Sequence, residues 1–110
     1  MKIGDYRLYS IETSEFSLDG GAMFGIIPKV LWEKKAPSDS LNRIGMVTRS
    51  LLLVSESHKI LIDTGNGSKW TKKYLDLYNI DLSRYNINSS LKKYGFSPED
   101  ITDIICTHLH

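Results

Sequence analysis

Apolar and polar positions divide the chain into short apolar runs separated by polar breaks that contain glycine. Residues 6–18 are rich in aromatic and β-branched types and alternate imperfectly, which predicts one or two strands. Two further strands are predicted at 46–54 and 59–63, joined by a polar hairpin turn. Their continuous apolar runs, at 51–54 and 60–62, are typical of strands covered on both faces. The pattern therefore favours a layered α/β architecture.

Helical spacing dominates the next part of the chain. Ser68 offers an N-cap for a helix with one aromatic and apolar stripe, formed by Trp70, Tyr74, Leu77 and Tyr78. We expect this stripe to pack in the core. A second, short helix is predicted before Gly95, with Asn88 or Ser89 as its cap.

Proline and glycine mark the remaining segments. Residues 22–28, between glycine and proline, predict an irregular segment packed on the body, and residues 31–43 predict a solvated connector with at most one helical turn. A single turn at 97–100 leads into an isoleucine-rich run at 101–106. That run predicts a buried strand in which Cys106 is a small core residue.

Composition restricts the classes of protein to consider. A chain of 110 residues suits one domain. Fourteen basic and 13 acidic residues leave no charged surface that would indicate nucleic acid or an anionic membrane as a partner. Cys106 is the only cysteine, the N-terminus lacks the apolar region of a signal peptide, and no apolar run approaches the ~20 residues of a membrane span. We therefore expect a cytoplasmic location.

The candidate chemistry lies after the predicted strand at 101–106, where His108 and His110 stand two residues apart. Such side chains point to the same side of an extended segment, with Cα atoms ~6–7 Å apart. Both imidazoles could therefore reach one zinc ion, although a catalytic zinc normally takes three protein ligands and keeps a position for water. Asp63 ends an earlier apolar strand, and a carboxylate buried there would need hydrogen bonds or an opposite charge.

Taken together, these motifs resemble the N-terminal half of the metallo-β-lactamase superfamily. Thr107-His108-Leu109-His110 matches the first four positions of the family signature Thr-His-x-His-x-Asp-His, and Ile62-Asp63-Thr64-Gly65 matches its other early motif. The resemblance covers about residues 44–110 and looks closest to lactonases and glyoxalase-II-like hydrolases.

The resemblance implies an α+β fold, specifically the N-terminal half of a four-layer αβ/βα sandwich with a metal site at one edge of its sheets. His108 and His110 would be metal ligands, and Asp63 would be a structural aspartate that holds the ligand geometry. One or two zinc ions, or other divalent metals, would be the cofactor. A metal-bound hydroxide would attack an ester, lactone or thioester-type bond in a small-molecule substrate.

We expect residues 1–110 to be the N-terminal portion of a single metallo-β-lactamase-like domain, because the family's further ligands have no counterpart in this chain. The missing C-terminal half, or a second copy in a homodimer, would then complete the structure. One alternative is a non-catalytic fragment that only binds its missing half. Another is a small structural domain whose terminal histidines are incidental.

Overall fold

The computed structural model of the chain describes residues 1–109, which form a β-sheet flanked by short helices. In chain order the elements are β1 (Lys2–Ile3), β2 (Tyr6–Asp19), α1 (Gly20–Phe24), α2 (Lys29–Trp32), β3 (Arg43–Val54), β4 (Lys59–Ile62), α3 (Lys72–Tyr78), α4 (Ile87–Lys92) and β5 (Asp103–Ile105). A 3₁₀ turn at Pro98–Asp100 precedes β5. In this described part, no helix is long and apolar enough to cross a membrane. His110 lies outside the described residues.

Within residues 1–109 the strands lie in the order β1–β2–β3–β4–β5. Neighbouring strands from β1 to β4 are antiparallel, whereas β4 and β5 are parallel. The hairpin predicted between β3 and β4 is confirmed, and the longer return to β5 runs through α3 and α4, as a parallel connection requires. The carboxyl ends of β4 and β5 consequently lie side by side.

β2 is one continuous strand that contains a β-bulge. Its register with β3 shifts just before Ser14, which lies opposite Thr48. Thr13 is therefore the extra residue, and Thr13 and Ser14 are both buried although they are consecutive in the chain. The bulge accounts for the imperfect alternation seen in residues 6–18.

The core lies on the face of the sheet that α4 covers. Ile11, Leu52 and Leu61 come from three neighbouring strands and pack with Leu91 of α4. All four side chains are buried. The apolar positions of β2, β3 and β4 are thus held together by one short amphipathic helix.

The opposite face of the sheet carries apolar side chains that residues 1–109 cover only in part. Leu51 pairs with Ile62, which pairs with Ile105, so the three lie on one face. Leu51 is 36% exposed and Ile105 is 50% exposed. The predicted cover on both faces is therefore absent from the described part of the chain.

The predicted buried strand at 101–106 is also corrected. β5 forms within this range, but each of its residues is exposed, and so is Cys106. The physical reason is position, because β5 is the last strand of the described sheet and pairs on one side with β4. Isoleucine content indicates a strand correctly but does not say which layer covers it.

The segment between β2 and β3 contains two short helices, so the irregular segment predicted at 22–28 is helical up to Phe24. The connector predicted at 31–43 is confirmed after Trp32, where α2 ends, because residues 33–42 form turns and none of them is buried. The Asp19 side chain starts α1 by accepting a hydrogen bond from the Ala22 N–H at 2.7 Å. Trp32 of α2 is buried, and its ring stacks on Phe24 with ring centroids 4.9 Å apart. A Cβ at Gly20 would lie 2.9 Å from Trp32 Cζ2, so this glycine makes room for the indole.

α3 and α4 confirm the two predicted helices, with different starting residues. α3 begins after Thr71 instead of Ser68, and α4 begins after Asn86, whose Oδ1 accepts from the Ser89 N–H at 2.9 Å. The predicted aromatic stripe, which begins at Trp70 before α3, is not part of the core in the described part of the chain. Trp70 is 37% exposed, and the rings of the stripe pack on one another.

Candidate metal centre

The candidate site lies where β4 and β5 end side by side. The backbone N–H of Asp63 donates to the Ile105 carbonyl at 2.8 Å, which carries the parallel pairing one residue beyond β4. Asp63 itself has a φ of 61°, in the left-handed region, where aspartate is tolerated because its short side chain can form local hydrogen bonds. Asp63 is the first residue of the site loop, defined here as residues 63–67.

The Asp63 carboxylate holds the segment after β5 with both of its oxygens. The Thr107 backbone N–H donates to Oδ1 at 2.9 Å, and the Thr107 hydroxyl donates to Oδ2 at 2.8 Å. A partly buried carboxylate needs such partners to offset its lost hydration. The structure therefore brings Asp63 to the residue that precedes His108, while the role of Asp63 stays a prediction.

These hydrogen bonds lower the pKa of the Asp63 carboxyl below its usual value. The backbone N–H of Thr107 is the largest cause and the Thr107 hydroxyl the second, while partial burial opposes them. The nearby His108 ring, in its protonated form, lowers the pKa of Asp63 further. Asp63 is thus ionised at neutral pH and can only accept hydrogen bonds.

His108 is oriented through Thr107. Thr107 Oγ1 lies 3.0 Å from His108 Nδ1. Because the hydroxyl proton is donated to Asp63, Oγ1 acts as the acceptor at this contact and Nδ1 as the donor. This tautomer places the lone pair of the ring on Nε2, the nitrogen that can then bind a metal ion. The donor chemistry of this Asp63–Thr107–His108 relay therefore fits a metal ligated by His108 Nε2.

The site loop is held against β2. Gly65 has a φ of 72° and packs so closely on Thr13 that a Cβ at Gly65 would lie 2.7 Å from Thr13 Cβ. Asn66 Nδ2 donates to Ser14 Oγ at 3.0 Å, and the Asn66 carbonyl accepts from Trp70 Nε1 at 2.7 Å. Asn66 thus anchors the loop twice, to the bulge through its side chain and to the Trp70 indole through its carbonyl.

Thr13, Ser14 and Asn66 hold the site loop in place, and the sequence pattern did not predict this role. The available hint is the polar run Glu12-Thr13-Ser14-Glu15 within a predicted strand. Such a run usually indicates a solvated face or a break in the strand. The pairing of β2 with β3 shows that the run is a bulge, and the contacts of Ser14 with Asn66 and of Thr13 with Gly65 show that it faces the site loop.

Donors for a metal ion are few in the described part of the chain. Across residues 1–109, no group of three or more His, Cys, Asp and Glu side chains is placed to hold a metal ion. His108 is the predicted ligand that the structure describes, and His110 lies outside the described residues. The described residues therefore contribute one candidate ligand together with the groups that orient it.

Comparison with known proteins identifies the family. Residues 44–110 match the metallo-beta-lactamase superfamily. A probable metal-dependent hydrolase from Staphylococcus aureus is 33% identical, with a TM-score of 0.86, over 100% of this chain and 40% of that one. AidC, a dizinc quorum-quenching lactonase solved with a product, N-hexnoyl-L-homoserine, is 25% identical, with a TM-score of 0.69, over 100% of this chain and 35% of that one.

A further structure, the hydrolase AbOPH of the beta lactamase superfamily, is 24% identical with a TM-score of 0.69 and shows the shared fold. The similarity extends over 100% of this chain and 35% of that structure. A comparison with curated proteins found no match to this chain.

The chain belongs to the metallo-β-lactamase superfamily. It spans 40% of the length of the Staphylococcus aureus structure and 35% of the length of AidC. The predicted fold class, an α+β portion of the metallo-β-lactamase sandwich, is confirmed by this match and by the mixed sheet and helices. The predicted family is confirmed as well.

Proposed function

We propose that the full-length protein is a zinc-dependent hydrolase of small molecules that carry an ester, lactone or thioester-type bond. The observation that carries this proposal is the Asp63–Thr107–His108 relay, because it holds a histidine in the tautomer that presents Nε2 to a metal. Membership of the superfamily and the metal-dependent hydrolase among the similar structures support it. The dizinc lactonase supports zinc and a lactone substrate, while other divalent metals suit the same imidazole donors.

The residues of the chain have distinct tasks in this proposal. His108 would bind the metal through Nε2, and His110 would add a second imidazole nitrogen. Thr107 would fix the ring of His108, and Asp63 would fix Thr107, so that neither needs to touch the substrate. Bound zinc would acidify a water molecule and polarise the bond under attack.

We also propose that residues 1–110 form the N-terminal portion of a single domain whose other part completes the site. The apolar face that carries Leu51, Ile62 and Ile105 supports this, because a sheet needs a packed layer on each apolar face. The same face favours the alternative function, a non-catalytic portion that only binds the rest of the domain. A second copy of the chain is the other proposed cover for this face.

A cytoplasmic location is proposed from cysteine usage. Cys106 is the single cysteine of the chain, so a disulfide within it cannot form, which suits a reducing compartment. The balanced charge supports a small-molecule substrate over nucleic acid or a membrane surface. Cell fractionation tests the location, and recovery in an oxidising compartment would contradict it.

The hydrolase proposal is tested by turnover of aryl esters and acyl lactones by the full-length protein, with and without a chelator. We expect the chelator to abolish hydrolysis and added zinc to restore it. His108→Ala should abolish zinc binding and turnover, whereas His58→Ala, at the exposed turn between β3 and β4, should change neither. Turnover that survives the chelator would contradict the metal mechanism, and zinc binding without turnover of any of these substrates would favour the non-catalytic alternative.

A further inference from the structure

Three hydroxyl groups lie together between the site loop and the sheet. Thr13 Oγ1 and Ser14 Oγ each lie 2.7 Å from Thr48 Oγ1. The bulge causes this arrangement, since it directs two consecutive side chains of β2 towards one residue of β3. We call Thr13, Ser14 and Thr48 the hydroxyl cluster. Burying such groups is unfavourable unless each one is hydrogen-bonded.

One directed chain of hydrogen bonds, beginning in the site loop, can satisfy the donors and acceptors of the hydroxyl cluster, and the Ser14 carbonyl, 3.4 Å from Thr48 Oγ1, is a further acceptor. Asn66 Nδ2, which can only donate, donates to Ser14 Oγ at 3.0 Å. The Ser14 hydroxyl can then donate to Thr48 Oγ1, the Thr48 hydroxyl to Thr13 Oγ1, and the Thr13 hydroxyl to the Thr48 carbonyl at 3.3 Å. In this direction every hydroxyl gives one proton and accepts another. Hydrogen bonds aligned in this way strengthen one another.

The site loop depends on this anchor because its own path is irregular. Asp63, Gly65 and Gly67 have positive φ values of 61°, 72° and 68° at alternate positions. Between them, Asn66 is held by Ser14 through its side chain and by Trp70 through its carbonyl. Asn66 lies three residues after Asp63, so the anchored residue and the carboxylate belong to the same short backbone segment.

We propose that the hydroxyl cluster positions His108 for metal binding by fixing, through Asn66, the loop that presents Asp63 to Thr107. This inference rests on the metal site proposed above. Its members are positioning residues, because they act on His108 through Asn66 and the Asp63–Thr107–His108 relay. The cluster lies in β2 and β3, and Thr48, its member nearest to His108 in sequence, precedes that histidine by 60 residues (108 − 48).

The test replaces Thr48 with valine in the full-length protein and measures zinc affinity by competition with a chromophoric chelator. Valine keeps the branched shape of threonine and removes the middle link of the hydroxyl chain. Loss of groups that orient a metal ligand weakens binding by 10–100-fold, so we expect about a tenfold loss for this more remote change. Thr48→Ser, which keeps the hydroxyl, should restore the affinity of the wild type.

A matched control lies on the same strand. Ser50 is two residues from Thr48 and 3% exposed, and its Oγ has no hydrogen-bond partner among residues 1–109. Ser50→Ala therefore removes a buried hydroxyl of β3 that does not link to the site loop, and zinc affinity should stay at the wild-type value. Cobalt substitution adds a spectroscopic readout, because the visible absorption of bound cobalt should change in Thr48→Val and not in Ser50→Ala.

Asn66→Ala provides a second variant should Thr48→Val fail to fold, because it removes the first donor from the loop side without altering the hydroxyl cluster itself. We expect it to weaken zinc binding as Thr48→Val does. Wild-type zinc affinity in the folded variants would overturn the inference, and so would equal losses in Thr48→Val and Ser50→Ala. A wild-type protein that binds no zinc would instead refute the proposed function itself.

Discussion

The contact between Gly65 and Thr13 allows the support of the site loop to be measured directly. With a φ of 72°, Gly65 adopts a conformation that costs other L-residues about 1–2 kcal/mol. Alanine would also place its Cβ 2.7 Å from Thr13 Cβ, so the loop or the bulge must shift. Overpacking of this kind costs about 1–3 kcal/mol, and the two effects together give about 2–5 kcal/mol for Gly65→Ala.

A substitution at Gly67 measures the cost of the left-handed backbone without the contact to Thr13. The φ of Gly67, 68°, is nearly the same as that of Gly65, but a Cβ there would meet no atom within 4 Å. Gly67→Ala should therefore lower the free energy of unfolding by the backbone cost alone, about 1–2 kcal/mol. The difference between the two variants measures the contact with Thr13.

Urea unfolding of the full-length protein gives both values, provided that the variants share the slope of the wild type. Zinc affinity, measured on the folded variants, should fall in Gly65→Ala more than in Gly67→Ala, since only the first displaces the loop from β2. Equal destabilisation of the two variants would refute the conclusion that the site loop is seated on the bulge.

The remaining predictions concern the core, the relay and its pH dependence. Leu91→Ala empties a 0% exposed position under the sheet and should lower the free energy of unfolding by about 2–5 kcal/mol, whereas the exposed Lys92→Ala on the same helix should change it by less than about 0.5 kcal/mol. Comparable losses would contradict the placement of the core. Thr107→Val removes the hydroxyl that joins Asp63 to His108, so zinc affinity of the full-length protein should fall by about 10–100-fold, while Thr107→Ser should retain it. Unchanged affinity in the valine variant would exclude the relay. Because Thr107 lowers the folded-state pKa of Asp63 below the unfolded value of about 3.9, the stabilisation is complete above that pH and is lost as the pH falls through the folded-state pKa. A carboxyl-carbon NMR titration should place the Asp63 midpoint below about 3.9 and show that Thr107→Val raises it; a wild-type midpoint at or above that value would be incompatible with the hydrogen bonds.

Much of the candidate site could be predicted from sequence because its chemistry is local. The histidine motif and the Asp-Thr-Gly motif each follow an apolar run, and both runs are strands in the structure. Their meeting could be inferred only through the family resemblance, since a parallel pairing joins β4 to β5 across 40 intervening residues. The seat of the loop on Thr13 and Ser14 was missed for the same reason, because a bulge is a property of two paired strands.

The sequence by itself determined the presence of β2 to β5, the two later helices and the family motifs at residues 62–65 and 107–110. These features depend on short-range periodicity and on residue types at fixed spacing. The tertiary structure decided which apolar positions are buried: Trp32 is covered, whereas Trp70 and β5 are exposed in the described part of the chain. It also decided that Asp63 hydrogen-bonds Thr107 and that Ser14, in the bulge, hydrogen-bonds Asn66 in the site loop. Burial and hydrogen-bond partners depend on which distant segments pack together, and a local pattern carries no information on that choice.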